Sequence, residues 1–164
     1  MNKPERLDLE VRAHADQHAS LRLWLRMLSA TTRIEEVVRA RLREQFGITL
    51  PRFDLMAQLE REPEGLTMGE LSRRMMVTGG NVTAIVDQLE AEGLVQRQNS
   101  PGDRRAFRVS LTATGRKTFA TMAQVHEGWV VELFSPLSER QQEQLHKLLG
   151  TLKSVPIEHP KENP

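Results

Sequence analysis

From Ser20 onward apolar residues recur at helical spacing. Leu21, Trp24, Leu25, Leu28, Val38, Leu42 and Phe46 fall near one face, Arg and Glu separate them, and Gly47 supplies a C-terminal stop. The pattern predicts a helix of more than 20 residues, well beyond the average of about 11–12 for globular helices. Part of such a helix is expected to pack outside its own domain, against a second subunit. A second helix opens at Pro51, whose missing N–H costs nothing in a first turn, and carries Phe53, Leu55, Met56 and Leu59. Thr67 and Glu70 have the spacing of a capping box, which predicts a short third helix over 68–74. Thr78 is placed to cap a fourth helix with Val82, Ile85, Val86 and Leu89 as its buried stripe. Gly93 closes that helix, and its other face carries Gly79, Gly80, Asn81, Thr83, Asp87 and Gln88.

Beyond Gly93 the period changes from helical to alternating. Leu94–Arg97 and Phe107–Leu111 read as two strands, with the turn-rich Ser100–Asp103 between them. Thr112 then caps a long fifth helix bearing Phe119, Met122, Val125, Trp129, Val130 and Leu133, interrupted by Pro136. Ser138 and Gln141 form another capping-box pair before a last helix with Leu145, Leu148, Leu149 and Leu152. The fold class is mainly α with a small β-hairpin wing, since two short helices followed by a hairpin give the winged variant of the helix-turn-helix.

Composition narrows the possibilities. A chain of 164 residues with 38% hydrophobic and 27% charged residues suits one domain with an extension rather than two large domains. Cysteine is absent, which excludes disulfides, thiolate metal sites and cysteine nucleophiles. The polar start and the lack of a long apolar run point to a cytoplasmic protein with no membrane partner. The net charge of +1 gives no global sign of a polyanionic partner, but the charge is unevenly placed. Between Arg97 and Lys117 stand six basic residues (Arg97, Arg104, Arg105, Arg108, Arg116, Lys117) and one acidic residue, Asp103. A basic ribbon beside paired helices is the electrostatic footprint of nucleic-acid binding, because neutralising phosphates releases counterions.

The stretch from Leu71 through Val77-Thr-Gly-Gly-Asn-Val-Thr83 to Gly93-Leu-Val-Gln-Arg97 resembles the paired helices of the multiple antibiotic resistance regulator (MarR) family. Pro101-Gly-Asp-Arg-Arg105, followed by Val109-Ser-Leu-Thr112 and Gly115, resembles that family's wing and the start of its next helix. The similarity extends over roughly residues 20–152. It implies a homodimer whose first and last helices interlock and whose two winged modules face one double-stranded DNA. On this reading the chain divides into a flexible arm over 1–19, a dimerisation helix over 20–50, a winged helix-turn-helix over 51–111, C-terminal dimerisation helices over 112–154 and a loose tail over 155–164.

Carried over position by position, the resemblance makes Arg105 the minor-groove residue, Asp103 its orienting partner and Arg104 a phosphate contact. Asn81 and Thr83 stand where relatives reach base edges or phosphates, while Gly79 and Gly80 permit close backbone approach and depart from the bulkier residues often found there. Arg73 and Thr78 complete the expected DNA-facing set. The resemblance also implies a small-molecule effector, an aromatic carboxylate or its coenzyme A thioester, that releases DNA. Its expected lining is Trp24, Leu28, Arg52, Phe53, Met56 and Trp129, an apolar wall with one cation, and Arg22, Arg26 or Arg33 are available for thioester phosphates. Against this stands a purely structural reading in which Arg52 pairs with a carboxylate and the aromatic residues fill the core.

Other chemistry finds little support. His14 and His18 share a helical spacing near Glu10, but no third ligand is fixed, so neither metal nor cofactor is expected. Asp54, Asp87 and Glu90 are not paired with a nucleophile, and no phosphate-cradling loop occurs, so the chain does not read as an enzyme. The expected function is that of a dimeric transcriptional repressor released from a pseudo-palindromic operator by a ligand. The alternative is a winged-helix protein-interaction module without DNA binding.

Overall fold

The computed structural model describes residues 19–75, 79–100 and 103–154, with the backbone alone at residues 100 and 103–106. The expected N-terminal arm, the tail, the His14/His18 pair and the Thr78 cap lie outside the described residues. The helices are α1 (Ala19–Phe46), α2 (Leu50–Glu60), α3 (Met68–Met75), α4 (Gly79–Ala91), α5 (Ala113–Phe134) and α6 (Glu139–Lys153). The strands are β1 (Leu66–Thr67), β2 (Val95–Ser100) and β3 (Asp103–Leu111). Two compact units result, one closing at His126 and the other opening at Glu127.

The core of the first unit is built from the stripes that periodicity marks. Leu55, Met56 and Leu59 of α2, Leu71 of α3 and Val82, Val86 and Leu89 of α4 are buried, together with Val95, Val109 and Leu111 of the sheet and Leu42 of α1. Pro51 stands in the first turn of α2, as expected from its missing donor. At α3 the Thr67 N–H donates to Glu70 Oε2 at 2.8 Å and the Glu70 N–H donates to Thr67 Oγ1 at 3.3 Å, a reciprocal cap. The Thr67 N–H and the Thr67 hydroxyl, which both donate to Glu70 Oε2, and Arg108 and Arg74 more weakly, hold the Glu70 carboxyl below its usual range despite some desolvation.

The wing differs from the expected two-stranded ribbon. β1 adds a third strand, giving the order β1-β3-β2, with Leu66 opposite Val109 and Thr67 opposite Arg108. Two residues leave no alternating signature, so only pairing with a distant strand makes them β. Arg108 secures this edge: its Nη2 donates to the Gly65 carbonyl at 2.8 Å and its Nε to the Glu64 carbonyl at 3.2 Å. β2 and β3 are also longer than their apolar alternation suggests. Their pairing runs from Val95–Leu111 to Ser100–Asp103, with an irregularity between Asn99 and Ser100. The backbone of Arg104 and Arg105 therefore belongs to a strand rather than to a turn.

Two glycines join the helices to the sheet. Gly93 takes the left-handed conformation, φ 70°, and closes α4. Gly115 lies so close to the preceding loop that a Cβ there would stand 1.8 Å from the Leu94 carbonyl oxygen. Thr112 completes this junction, its Oγ1 donating to the Gly93 carbonyl at 2.7 Å and accepting the Gly115 N–H at 2.9 Å. Phe119 then brings α5 onto α2, its ring 5.3 Å from that of Phe53.

In the second unit Ser138 and Gln141 form the expected capping box at the start of α6. Gln142 Nε2 donates to the carbonyls of Phe134 and Leu137 at 3.2 and 3.0 Å, covering the end of α5. No residue of α6 is buried. Leu148 is 65% exposed and Leu152 52%. Among the described residues no helix is long and apolar enough to cross a membrane.

Candidate nucleic-acid interface

α4 separates its two faces cleanly. Val82, Val86 and Leu89 are buried and Ile85 is half-buried, whereas Gly79, Gly80, Asn81, Thr83, Ala84, Asp87 and Gln88 are exposed. A Cβ at Gly79 or Gly80 would meet nothing within 4 Å, so among the described residues these two positions open onto free space. The Thr83 hydroxyl donates to the Gly79 carbonyl at 3.1 Å, which uses its proton and leaves its oxygen as an acceptor. Asn81 presents a side-chain amide able to donate and accept. On α3, Arg73 is exposed, with its Nε directed to the Gly69 carbonyl at 3.5 Å.

The basic segment is not one free patch, which corrects the count along the sequence. Arg97 is bound to α4: Nη2 donates to Asp87 Oδ1, Nη1 to Glu90 Oε2, and its backbone N–H to Glu90 Oε1 at 3.1 Å. The hydrogen bond to Asp87 and the charge and hydrogen bond of Glu90 hold the guanidinium more firmly protonated, outweighing partial desolvation. Arg108 is turned to the β1 edge and lies 4.0 Å from Glu70. Arg116 donates to the Leu111 carbonyl at 2.8 Å. Lys117 is exposed. The side chains of Asp103, Arg104 and Arg105 lie outside the described residues, so the wing's contact atoms are placed only by backbone position.

The residues expected to line an effector site have diverse settings. Met56 is fully buried in the core and offers no surface to a ligand. Trp24, 56% exposed, and Leu28 lie on the uncovered part of α1. Trp129 is buried and belongs to the second unit. Arg52 and Phe53 are adjacent on α2 and both turned inward. Arg52 Nη2 pairs with Glu92 Oε2, while its buried Nε has no hydrogen-bond partner among the described residues. The Phe53 ring lies 4.9 Å from that of His126, whose desolvation lowers its pKa. Burial raises the nearby Asp54 carboxyl, and Glu35 adds to the effect. The Arg52–Glu92 pair fits the structural reading weighed from sequence, and the orphaned Nε fits the ligand reading. No cluster of three or more His, Asp or Glu side chains suited to a metal occurs among the described residues.

Sequence reasoning missed the Arg97 clamp. Its signal was present in Asp87 and Glu90, acidic residues three apart on one helix and followed by a basic residue on the next strand. Counting Arg97 with the wing concealed that signal.

Comparison with known proteins agrees with this architecture. Residues 46–106 match the MarR family model. The HTH-type transcriptional regulator PecS of Dickeya dadantii (strain 3937) is 26% identical over 111 residues, covering 66% of this chain and 67% of that protein. The crystal structure of the transcriptional regulator BldR from Sulfolobus solfataricus superposes with a TM-score of 0.73 at 27% identity, covering 87% of this chain and all of that one. The S. aureus MepR–DNA complex gives a TM-score of 0.68 at 26% identity over 82% of this chain and 96% of that one. The split faces of α4, the strand-borne wing and these likenesses agree: the segment 46–106 matches the MarR family, and the chain is similar in fold to that family's winged helix-turn-helix, DNA-binding transcriptional regulators.

Proposed function

We propose that this regulator acts as a homodimer that represses by occupying a pseudo-palindromic operator and is released by a small anionic ligand. The observation that carries the reading is the uncovered apolar surface on the outer helices: Leu21, Trp24 and Leu28 of α1, and Leu145, Leu148, Leu149 and Leu152 of α6. Segments 20–50 and 112–154 then serve dimerisation, and 51–111 is the DNA-binding region. A second copy covers these faces most economically, since an isologous interface buries both sets at once. Two copies present two α4 helices, and half-sites about one helical turn apart follow.

At each half-site Gly79, Gly80, Asn81 and Thr83 enter the major groove with Thr78 at their head, and Arg73 adds a phosphate contact. Asp103, Arg104 and Arg105 serve the adjacent minor groove and its phosphates. MepR in complex with DNA supports this use of the fold. For the ligand, support comes from Arg52, whose buried Nε has no hydrogen-bond partner among the described residues although its Nη2 pairs with Glu92, and from its neighbour on α2, the aromatic Phe53. A carboxylate on an aromatic ring matches both. Such a ligand releases DNA if it prefers the dimer form with wrongly spaced recognition helices, a tenfold preference being worth about 1.4 kcal/mol.

Selection of duplexes from a random pool by the full-length protein tests the operator claim, and enrichment of an inverted repeat is expected. Failure to enrich any sequence, or a monomer mass by light scattering at micromolar concentration, rejects it. Calorimetric titration with benzoate, hydroxycinnamates and their coenzyme A thioesters tests the ligand. No heat of binding, with unchanged affinity for the selected duplex, rejects the aromatic-acid proposal.

A further inference from the structure

α4 is held very differently at its two ends. Its first turn begins at Gly79 and Gly80, where an added Cβ would meet nothing within 4 Å, and is anchored on its inner side by the buried Val82. Its second half is tied from two sides. Arg97 of β2 spans Asp87 and Glu90, and Arg52 of α2 pairs with Glu92 just beyond the helix. Asp87 and Glu90 lie one turn apart on the same flank, so a planar guanidinium with one arm on each fixes the helix about its own axis. Glu90 also accepts the Arg97 backbone N–H at 3.1 Å, which ties it to the strand itself as well as to a flexible side chain.

We propose that Arg97 is a positioning residue for DNA recognition: it sets the rotation of α4 relative to the wing and does not itself contact DNA. The proposal rests on α4 being the recognition helix. The clamp is too exposed to serve mainly as a stability device. Asp87 is 59% exposed, and surface ion pairs contribute about 0–1 kcal/mol. Its effect is carried along the helix. Asn81 stands six residues before Asp87, roughly 9 Å along the axis, between Gly80, where an added Cβ would meet open space, and Val82, which is packed in the core. A small rotation at the clamp therefore displaces the reading residues against the base edges. The clamp also offsets one of the two negative charges on a helix flank proposed to approach phosphates, so it lessens repulsion while leaving Arg97 no free charge to offer DNA.

The test compares full-length wild type, Arg97→Ala and the double variant Asp87→Ala/Glu90→Ala on two probes, the duplex enriched by wild type and an unrelated duplex of equal length, across a salt series. Arg97→Ala is expected to lose about tenfold in affinity for the enriched duplex, to change little on the unrelated one, and to keep the wild-type slope of log affinity against log salt. A direct phosphate contact would instead weaken both probes and reduce the slope by about 0.9. The double variant separates position from charge. Removing two negative charges beside DNA should tighten binding on charge alone, whereas loss of the clamp weakens the enriched duplex. Tighter or unchanged binding of that duplex by the double variant overturns the proposal, as does a lowered slope for Arg97→Ala. If Arg97→Ala fails to fold by circular dichroism, the double variant, which changes only helix-surface positions, decides alone. If wild type enriches no duplex, the recognition-helix reading falls and the clamp falls with it; variants that match a functional wild type reject the clamp alone.

Discussion

α4 and α6 are both amphipathic helices with a run of aliphatic residues at three- and four-residue spacing, yet they end in opposite situations. The stripe of α4, Val82, Val86 and Leu89, is fully buried by α2, α3 and the sheet. The stripe of α6 leaves Leu145, Leu148, Leu149 and Leu152 exposed. Periodicity states that a face needs cover. It does not state whether the same chain or another supplies it. The contrast separates residues that hold the winged unit together from residues proposed to join two copies.

The strongest test of that contrast is Leu89→Ala. Truncating a fully buried leucine should cost about 2–5 kcal/mol, read as a lower urea midpoint, with no change in mass at concentrations where the protein remains folded. Leu148→Glu with Leu152→Glu should do the reverse, leaving secondary structure intact while light scattering falls from dimer to monomer. Affinity for the enriched duplex should drop at least about a hundredfold, because two linked half-site contacts become one. If this variant unfolds without changing mass, the α6 face is covered within its own chain and the comparison fails.

Two smaller effects sharpen the contrast within the winged unit. Arg105→Ala should weaken the enriched duplex by about tenfold or more at 150 mM salt, whereas Asn81→Ala should shift preference among sequences more than overall affinity. Equal binding by wild type and Arg105→Ala in a gel shift would remove the wing assignment. The smallest effect belongs to the cap of α3. Thr67→Ala should cost about 1 kcal/mol, and the contribution of Glu70 should depend on pH. Its carboxyl is held below the ordinary 4.5, so its contribution is present above that value and disappears as pH falls through the lowered pKa. The stability gap between wild type and Glu70→Gln, measured by urea unfolding, should be widest near neutrality and close in acid.

Much of this was legible in one sequence because it depends on local chemistry. Helical period, the Thr67/Glu70 and Ser138/Gln141 caps, Pro51 in a first turn and Gly93 at a helix end are properties of residues within one or two turns of each other. They placed every helix, and the motif around Arg104 and Arg105 pointed to the family. What tertiary structure decided depends on partners far apart in the chain. Leu66 and Thr67 become a strand only because Val109 and Arg108 lie beside them. Arg97 ceased to be a free wing cation once folding set it against Asp87 and Glu90. Met56 passed from a candidate pocket wall to the core, and Arg52 acquired Glu92, forty positions away. A count of charges along the chain cannot register such pairing, because opposite charges cancel through distance in space rather than in sequence.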